Sequence, residues 1–243
     1  EIIILYMANL IIDIGNTALK ASWCDGMTLG KTFRYQGERM LDFILSLTSR
    51  SKPEIMVLSS VRHFSEGNVR KLENECERLL VVDQELYSRY GIPEHITPDR
   101  AAAIVASRYL FKGKGCMIFD FGTTLSVDFL DVDGKYEGGN ISPGCRTRFR
   151  SLNRYTKSLP LIDAPESELE KGEDVKTSIE SGVVSGIIFE IEGYMSRHSQ
   201  KISVFTGGDA IYFAKRMKNS IFVVCNLVLM GLAIMAVEYD KKD

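Results

Sequence analysis

Leu10-Ile11-Ile12-Asp13-Ile14-Gly15-Asn16-Thr17 is answered later in the chain by Met117-Ile118-Phe119-Asp120-Phe121-Gly122-Thr123-Thr124. Each stretch is a run of β-branched, long aliphatic and aromatic residues, then an acid, one apolar residue, a glycine and two small polar residues. The pattern reads as a buried strand that ends in a carboxylate and runs into a tight turn rich in donors. Two copies about one hundred residues apart are too widely spaced for a solenoid repeat and suit a duplicated domain. They predict two related halves with a phosphate and its metal ion held between them.

Working outward, each copy opens the same order of elements. In the first half, residues 10–14 form the strand, 18–23 pair back with a turn at Asp25-Gly26, and 31–35 make a third strand. Residues 37–50 carry helical spacing at Met40, Leu41, Ile44, Leu45 and Leu47, and Pro53 stops that helix. A short strand at 55–58, a helix at 69–80 and a short strand at 79–82 follow, then a helix at 99–110. The second half repeats the opening with strands at 117–119, 124–130 and 136–141, and a turn at Val132-Asp133-Gly134. Pro143-Gly144 opens a helix to about Tyr155, residues 163–174 read as a polar surface loop, and 175–195 as a long helix. A strand at 202–205, a turn at Gly207-Gly208, a helix at 209–218, a buried strand at 221–225 and a buried helix capped by Asn226 complete the chain. The class is α/β, with halves spanning residues 7–110 and 111–238 and a mixed sheet in each.

Composition narrows the function. The 243 residues suffice for one sizeable core or two smaller ones. With 30 basic against 32 acidic residues the net charge is −2, so no global field draws in nucleic acid or an anionic membrane. The five cysteines are odd in number and widely spaced, and no CxxC pair exists, which disfavours a disulfide framework or structural zinc and suits a reducing cytoplasm. His63, His95 and His198 are scattered and make no triad. The apolar stretch 221–237 falls short of the roughly 20 residues of a spanning helix. Met7 reads as the natural start, residues 1–6 as an extension before it, and no signal peptide is expected.

The chemistry is expected at the strand ends. A buried carboxylate is costly unless paired or bound to a cation, so Asp13 is the candidate for Mg²⁺, mostly through water. Gly15 allows close approach, Asn16 and Thr17 add donors, and Lys20 reaches a phosphate as a point charge. Asp120 repeats the carboxylate, while Thr123 and Thr124 suit phosphate oxygens or a bound cation. In Pro98-Asp99-Arg100-Ala101-Ala102-Ala103, Asp99 suits a helix cap, Arg100 a substrate carboxylate, and the alanines a helix face thin enough for tight packing.

Together these residues resemble the type III pantothenate kinases, of the superfamily of acetate and sugar kinases, heat-shock ATPases and actin. The landmarks come in order from Asp13-Ile14-Gly15-Asn16-Thr17 with Lys20, through Asp99-Arg100, Asp120-Phe121-Gly122-Thr123, Gly138-Gly139 with Pro143-Gly144, residues 152–160, Thr177 with Ser181-Gly182 and Thr206-Gly207-Gly208, to Asn226-Leu227-Val228-Leu229 with Gly231-Leu232. The resemblance implies two ribonuclease-H-like halves. It implies that Asp13, Ile14, Gly15, Asn16, Thr17, Ala18, Leu19 and Lys20 bind ATP and Mg²⁺, with Thr123 also on ATP. It implies Asp99 as general base, with Tyr90, Thr97, Pro98, Arg100 and Thr177 around pantothenate. It implies K⁺ or NH₄⁺ on Asp120, and a cytoplasmic homodimer whose substrate pocket lies at the interface. Members usually carry glycine where this chain has Thr97. The competing expectations are a regulatory, partner-binding member of the family and a kinase of another small molecule.

Overall fold

The computed structural model describes residues 8–166 and 170–241. Met7 and the extension before it lie outside the described residues. The chain forms two compact units, one running to Leu110 and including the residues from Asn226 on, the other Phe111–Cys225.

The first unit contains β1 (Asn9–Ile14), β2 (Leu19–Asp25), β3 (Thr28–Tyr35), α1 (Met40–Thr48), β4 (Ile55–Ser60), α2 (Glu66–Glu73), β5 (Arg78–Val81), α3 (Gln84–Ser88) and α4 (Pro98–Leu110). Its sheet has the order β3-β2-β1-β4-β5. The β1–β2 and β2–β3 pairs are antiparallel, and the β1–β4 and β4–β5 pairs parallel. The second unit contains β6 (Cys116–Phe121), β7 (Thr124–Leu130), β8 (Tyr136–Pro143), α5 (Cys145–Tyr155), α6 (Val175–Arg197), β9 (Ile202–Gly207), α7 (Ala210–Ala214) and β10 (Ile221–Val223). Its sheet, β10-β9-β6-β7-β8, repeats the first strand for strand, with the same pattern of antiparallel and parallel pairs.

The two copies of the repeated phrase are thus the central strands β1 and β6. Both are buried along nearly their whole length, as the uninterrupted apolar run requires of a strand covered on both faces. Leu10, Ile12 and Ile14 pack with Met40, Ile44 and Leu72 of α1 and α2. Alternation turns Ile11 and Asp13 to the opposite face. In β6 the aromatics Phe119 and Phe121 enter a core with Ile187 and Ile191 of α6, so Asp120 faces away from it.

The last helix, α8 (Leu227–Asp240), corrects the expected boundary at the C-terminal end. It packs in the first unit, against α4, rather than with residues 111–225. A Cβ on Gly231 would lie 1.9 Å from the carbonyl oxygen of Ala102, so the two helices meet backbone to backbone where both carry their smallest residues. Asn226 precedes α8 but makes no side-chain cap bond, and its Nδ2 donates to Thr32 Oγ1 on β3 at 3.3 Å instead. No helix among the described residues is long and apolar enough to cross a membrane.

Other boundaries differ too. α2 begins at the Ser65 cap, whose hydroxyl accepts from Asn68 N, and ends before the expected stretch does, because Arg78–Val81 is drawn into parallel pairing with β4. The short α3, capped by Asp83, was not expected. α7 covers only five residues of the helix expected at 209–218, and β10 is an edge strand with Phe222 and Val223 exposed, not a buried one.

Candidate active site

In the first unit, the last β1–β2 pair is Ile14 with Leu19, which leaves Gly15 to Ala18 as the connecting loop. Gly15 N donates to Ala18 O at 3.0 Å and closes it. Asn16 and Thr17 are exposed, while Leu19 is fully buried and offers a ligand only its backbone. Asp13 is 8% exposed and stands between Lys20 on β2 and Ser59 on β4, its two cross-strand neighbours. Buried Ser59 donates its Oγ to Asp13 Oδ1 at 3.0 Å. Neither Ser59 nor Arg62, whose Nη2 donates to Asn16 O, was singled out in the sequence. Ser59 reaches the end of β1, and Arg62 the loop after it, each from 46 residues away.

The second group in this unit runs from Tyr90 to Arg100. Tyr90 is half-buried, and Arg108 Nη1 on α4 donates to its carbonyl oxygen at 2.6 Å. Burial first, then the Glu238 carboxylate on α8, pushes the Tyr90 hydroxyl far above its ordinary pKa, so it stays a neutral donor. Ala101 N donates to Thr97 O at 2.9 Å, so Thr97 supplies the first helical carbonyl and Pro98 takes the first helical position. Asp99 therefore does not cap α4, as the residues alone suggested, but lies in its first turn. Its Oδ1 accepts from the Thr97 hydroxyl and from Arg100 N at 2.9 Å. Among the described residues no donor reaches Asp99 Oδ2. Arg100 is 8% exposed.

In the second unit, Phe121 and Leu125 are the last β6–β7 pair, so this loop is one residue shorter than the first. Gly122 N donates to Thr124 O at 2.9 Å, and Thr123 and Thr124 are exposed. Thr123 O accepts from Gly144 N at 3.0 Å and from the Thr147 hydroxyl at 2.6 Å, which fastens the loop to the start of α5. Asp120 is half-buried and pairs across to Ser126 and Thr206 where the first copy has lysine and serine. Gly207, at φ +93°, lies against it, and a Cβ there would be 2.4 Å from Asp120 Oδ1. A cleft of about 340 Å³ lies beside this turn, lined by Cys145, Arg146, Phe149, Asp163, Asp209 and Tyr212.

Thr177 sits in the first turn of α6 inside a capping box. Its N donates to Asp174 Oδ1 at 2.7 Å, and its hydroxyl donates to the same carboxylate and accepts from Asp174 N at 3.0 Å. These bonds hold the Asp174 carboxyl below the usual range.

The sequence pattern described as type III pantothenate kinase matches residues 9–197, a span that includes both loops, Asp99 and Thr177. The chain belongs to the type III pantothenate kinase family. A relative of that name from Phocaeicola vulgatus is 37% identical over 92% of this chain and 96% of its own. Among solved structures, a Campylobacter jejuni protein described as a Baf family transcriptional activator matches at TM-score 0.63 and 17% identity, over 96% of this chain and 99% of its own. The activator of the 2-hydroxyisocaproyl-CoA dehydratase from Clostridium difficile, bound to ADPNP, matches at TM-score 0.60 and 13% identity, over 97% and 96%. At such identities these neighbours speak for the fold alone, two units of one ribonuclease-H-like plan.

The family implies cations, and the donor sets suit them. Among the described residues no three His, Cys, Asp or Glu side chains converge on one point, so neither carboxylate builds an all-protein cage. Asp13, anchored through one oxygen by Ser59, fits a Mg²⁺ that keeps most of its waters. Asp120, with Gly207 against it, has the hydroxyl residues Ser126 and Thr206 as its cross-strand neighbours, a set that suits a monovalent cation.

Proposed function

We propose that this protein transfers the γ-phosphoryl group of ATP to the primary hydroxyl of pantothenate, giving 4′-phosphopantothenate, the first step of coenzyme A biosynthesis. The observation that carries this reading is the family match over residues 9–197, which takes in every strand-end carboxylate together with Asp99.

Phosphoryl transfer asks a protein chiefly for position and charge. The loop of Asp13, Ile14, Gly15, Asn16, Thr17, Ala18, Leu19 and Lys20 holds the phosphates, with Thr123 as a further nucleotide contact. Asp13 would hold Mg²⁺, which would supply neutralising charge to the phosphates. Asp120 would hold the monovalent cation, K⁺ or NH₄⁺. Asp99 is the base: Oδ1 is tied down by two donors, and Oδ2 takes the hydroxyl proton as the new O–P bond forms and ADP departs. Arg100 pairs with the pantothenate carboxylate, and Tyr90, Thr97 and Pro98 line the same approach. The protein works as a cytoplasmic homodimer with Thr177 at the shared substrate pocket.

The test is product formation from ATP, Mg²⁺ and K⁺ with and without pantothenate, followed by mass spectrometry. Asp99→Asn should lower kcat by at least about a hundredfold. Full turnover by that variant removes the base assignment. ATP consumption with another alcohol but not pantothenate makes this a kinase of a different small molecule, and no turnover with partner binding intact makes it a regulatory member.

A further inference from the structure

The β1–β2 loop has a second cation that neither copy of the repeat announces. β1 and β4 run parallel with Ile14 paired to Ser60, and Val61 N extends the ladder by donating to Ile14 O at 3.0 Å. A hydroxyl hook follows. Ser60 Oγ accepts from Arg62 N at 3.1 Å and donates to Arg62 O at 2.9 Å. The hook holds the chain beside the loop, where Arg62 Nη2 donates to Asn16 O and Nη1 lies 4.0 Å from Met40 Sδ. Arg62 is exposed, and among the described residues no carboxylate pairs with it.

This is an unusual way to hold an arginine. A neutral carbonyl fixes one nitrogen but cancels none of the charge. The remaining N–H groups stay available, in the planar fork that matches phosphate oxygens two at a time. They stand beside Asn16 and Thr17, both exposed. Lys20 flanks the same loop from β2, so β1 has a cation on each side of its carboxyl end.

We propose that Arg62 is a phosphate-contacting residue of this kinase, binding the terminal phosphates of the nucleotide from the β4 side while Lys20 binds them from the β2 side. The proposal rests on the reading of Asp13 to Lys20 as the ATP phosphate loop.

Calorimetric titration of the full chain with ATP, ADP and AMP tests it, using wild type, Arg62→Gln, Arg62→Lys and Lys20→Ala at low and high salt. Glutamine keeps a donor for the Asn16 carbonyl but carries no charge. Arg62→Gln should weaken ATP binding about tenfold, ADP less, and AMP scarcely at all. Arg62→Lys should recover most of the loss, and the gap between wild type and Arg62→Gln should narrow as salt rises. The proposal is overturned if Arg62→Gln binds ATP like wild type. It is equally overturned if the loss is the same for AMP or indifferent to salt, which would make Arg62 only a pin for Asn16. Lys20→Ala separates the two ideas. If it also leaves ATP affinity unchanged, the phosphate-loop reading has failed; if it weakens ATP while Arg62→Gln does not, only the Arg62 assignment falls.

Discussion

Thr97 stands where the family usually has glycine, and it puts the added hydroxyl on Asp99. That bond steadies one carboxylate oxygen and leaves the other for the substrate, so it is expected to act on the chemical step. Thr97→Val should lower kcat about three- to tenfold with little change in the KM for pantothenate, and Thr97→Ser should restore it. Steady-state kinetics of the two variants decide this, and a change confined to KM would make Thr97 a substrate contact instead. The thiols offer a second test at this scale. Cys24, Cys76, Cys116 and Cys145 are buried, and burial pushes Cys145 up to about 12, whereas Cys225 is exposed. A maleimide at neutral pH should label Cys225 alone in the folded protein, counted by intact mass, and all five after denaturation. The places of Asp13 and Asp120 at strand ends and of Asp99 at a helix start are legible in the sequence, because each stands beside its own signal; the role of base for Asp99 is legible only through the family resemblance. Ser59 and Arg62 are not, because their meaning lies in contacts with Asp13 and Asn16, each 46 residues earlier.

Among the elements, α4 and α8 show how small residues set a distance. Gly231 has no room for a side chain because Ala102 O occupies it. Gly231→Val should cost about 1–3 kcal/mol of stability through overpacking, read as a lower urea midpoint at unchanged m. A midpoint equal to wild type would mean that the helices slide apart freely. The strands were easy to read from the sequence because period and turn residues agree over the whole of β1 to β3 and again over β6 to β8. The helices that were misread failed for local reasons. The apolar spacing that suggested a helix to residue 80 belongs partly to β5, a strand stabilised by its neighbour β4 rather than by its own pattern. The α8 sequence is apolar all round, so its pattern reveals burial but not which unit does the burying.

For the molecule as a whole, the duplication is topological: two five-stranded sheets with one strand order, joined in a single chain. The copies are unequal in chain continuity. The second unit is one uninterrupted segment, while the first needs residues from both ends. Ending the chain at Cys225 should therefore unfold the first unit and leave the second protected, as hydrogen exchange would report; loss of protection in residues 111–225 instead would contradict the division. Alkali should weaken the molecule as well. Burial raises the Cys24 and Cys145 thiols from 9.0 to about 12 and Cys116 to about 11, so above pH 9 unfolding releases protons. Stability from this source is intact below that pH and drains away towards pH 12, which a series of urea titrations would trace.

The return of α8 to the first sheet also sets a timetable. A ribosome emits β1 well before α8, and the face of α4 that receives α8 stays bare until α8 has emerged. The half that is made second is the one that can finish first. A premature stop before α8 would therefore strike the unit whose strands were made earlier, and a folding helper that shields bare apolar surface would have to hold that unit until α8 arrives.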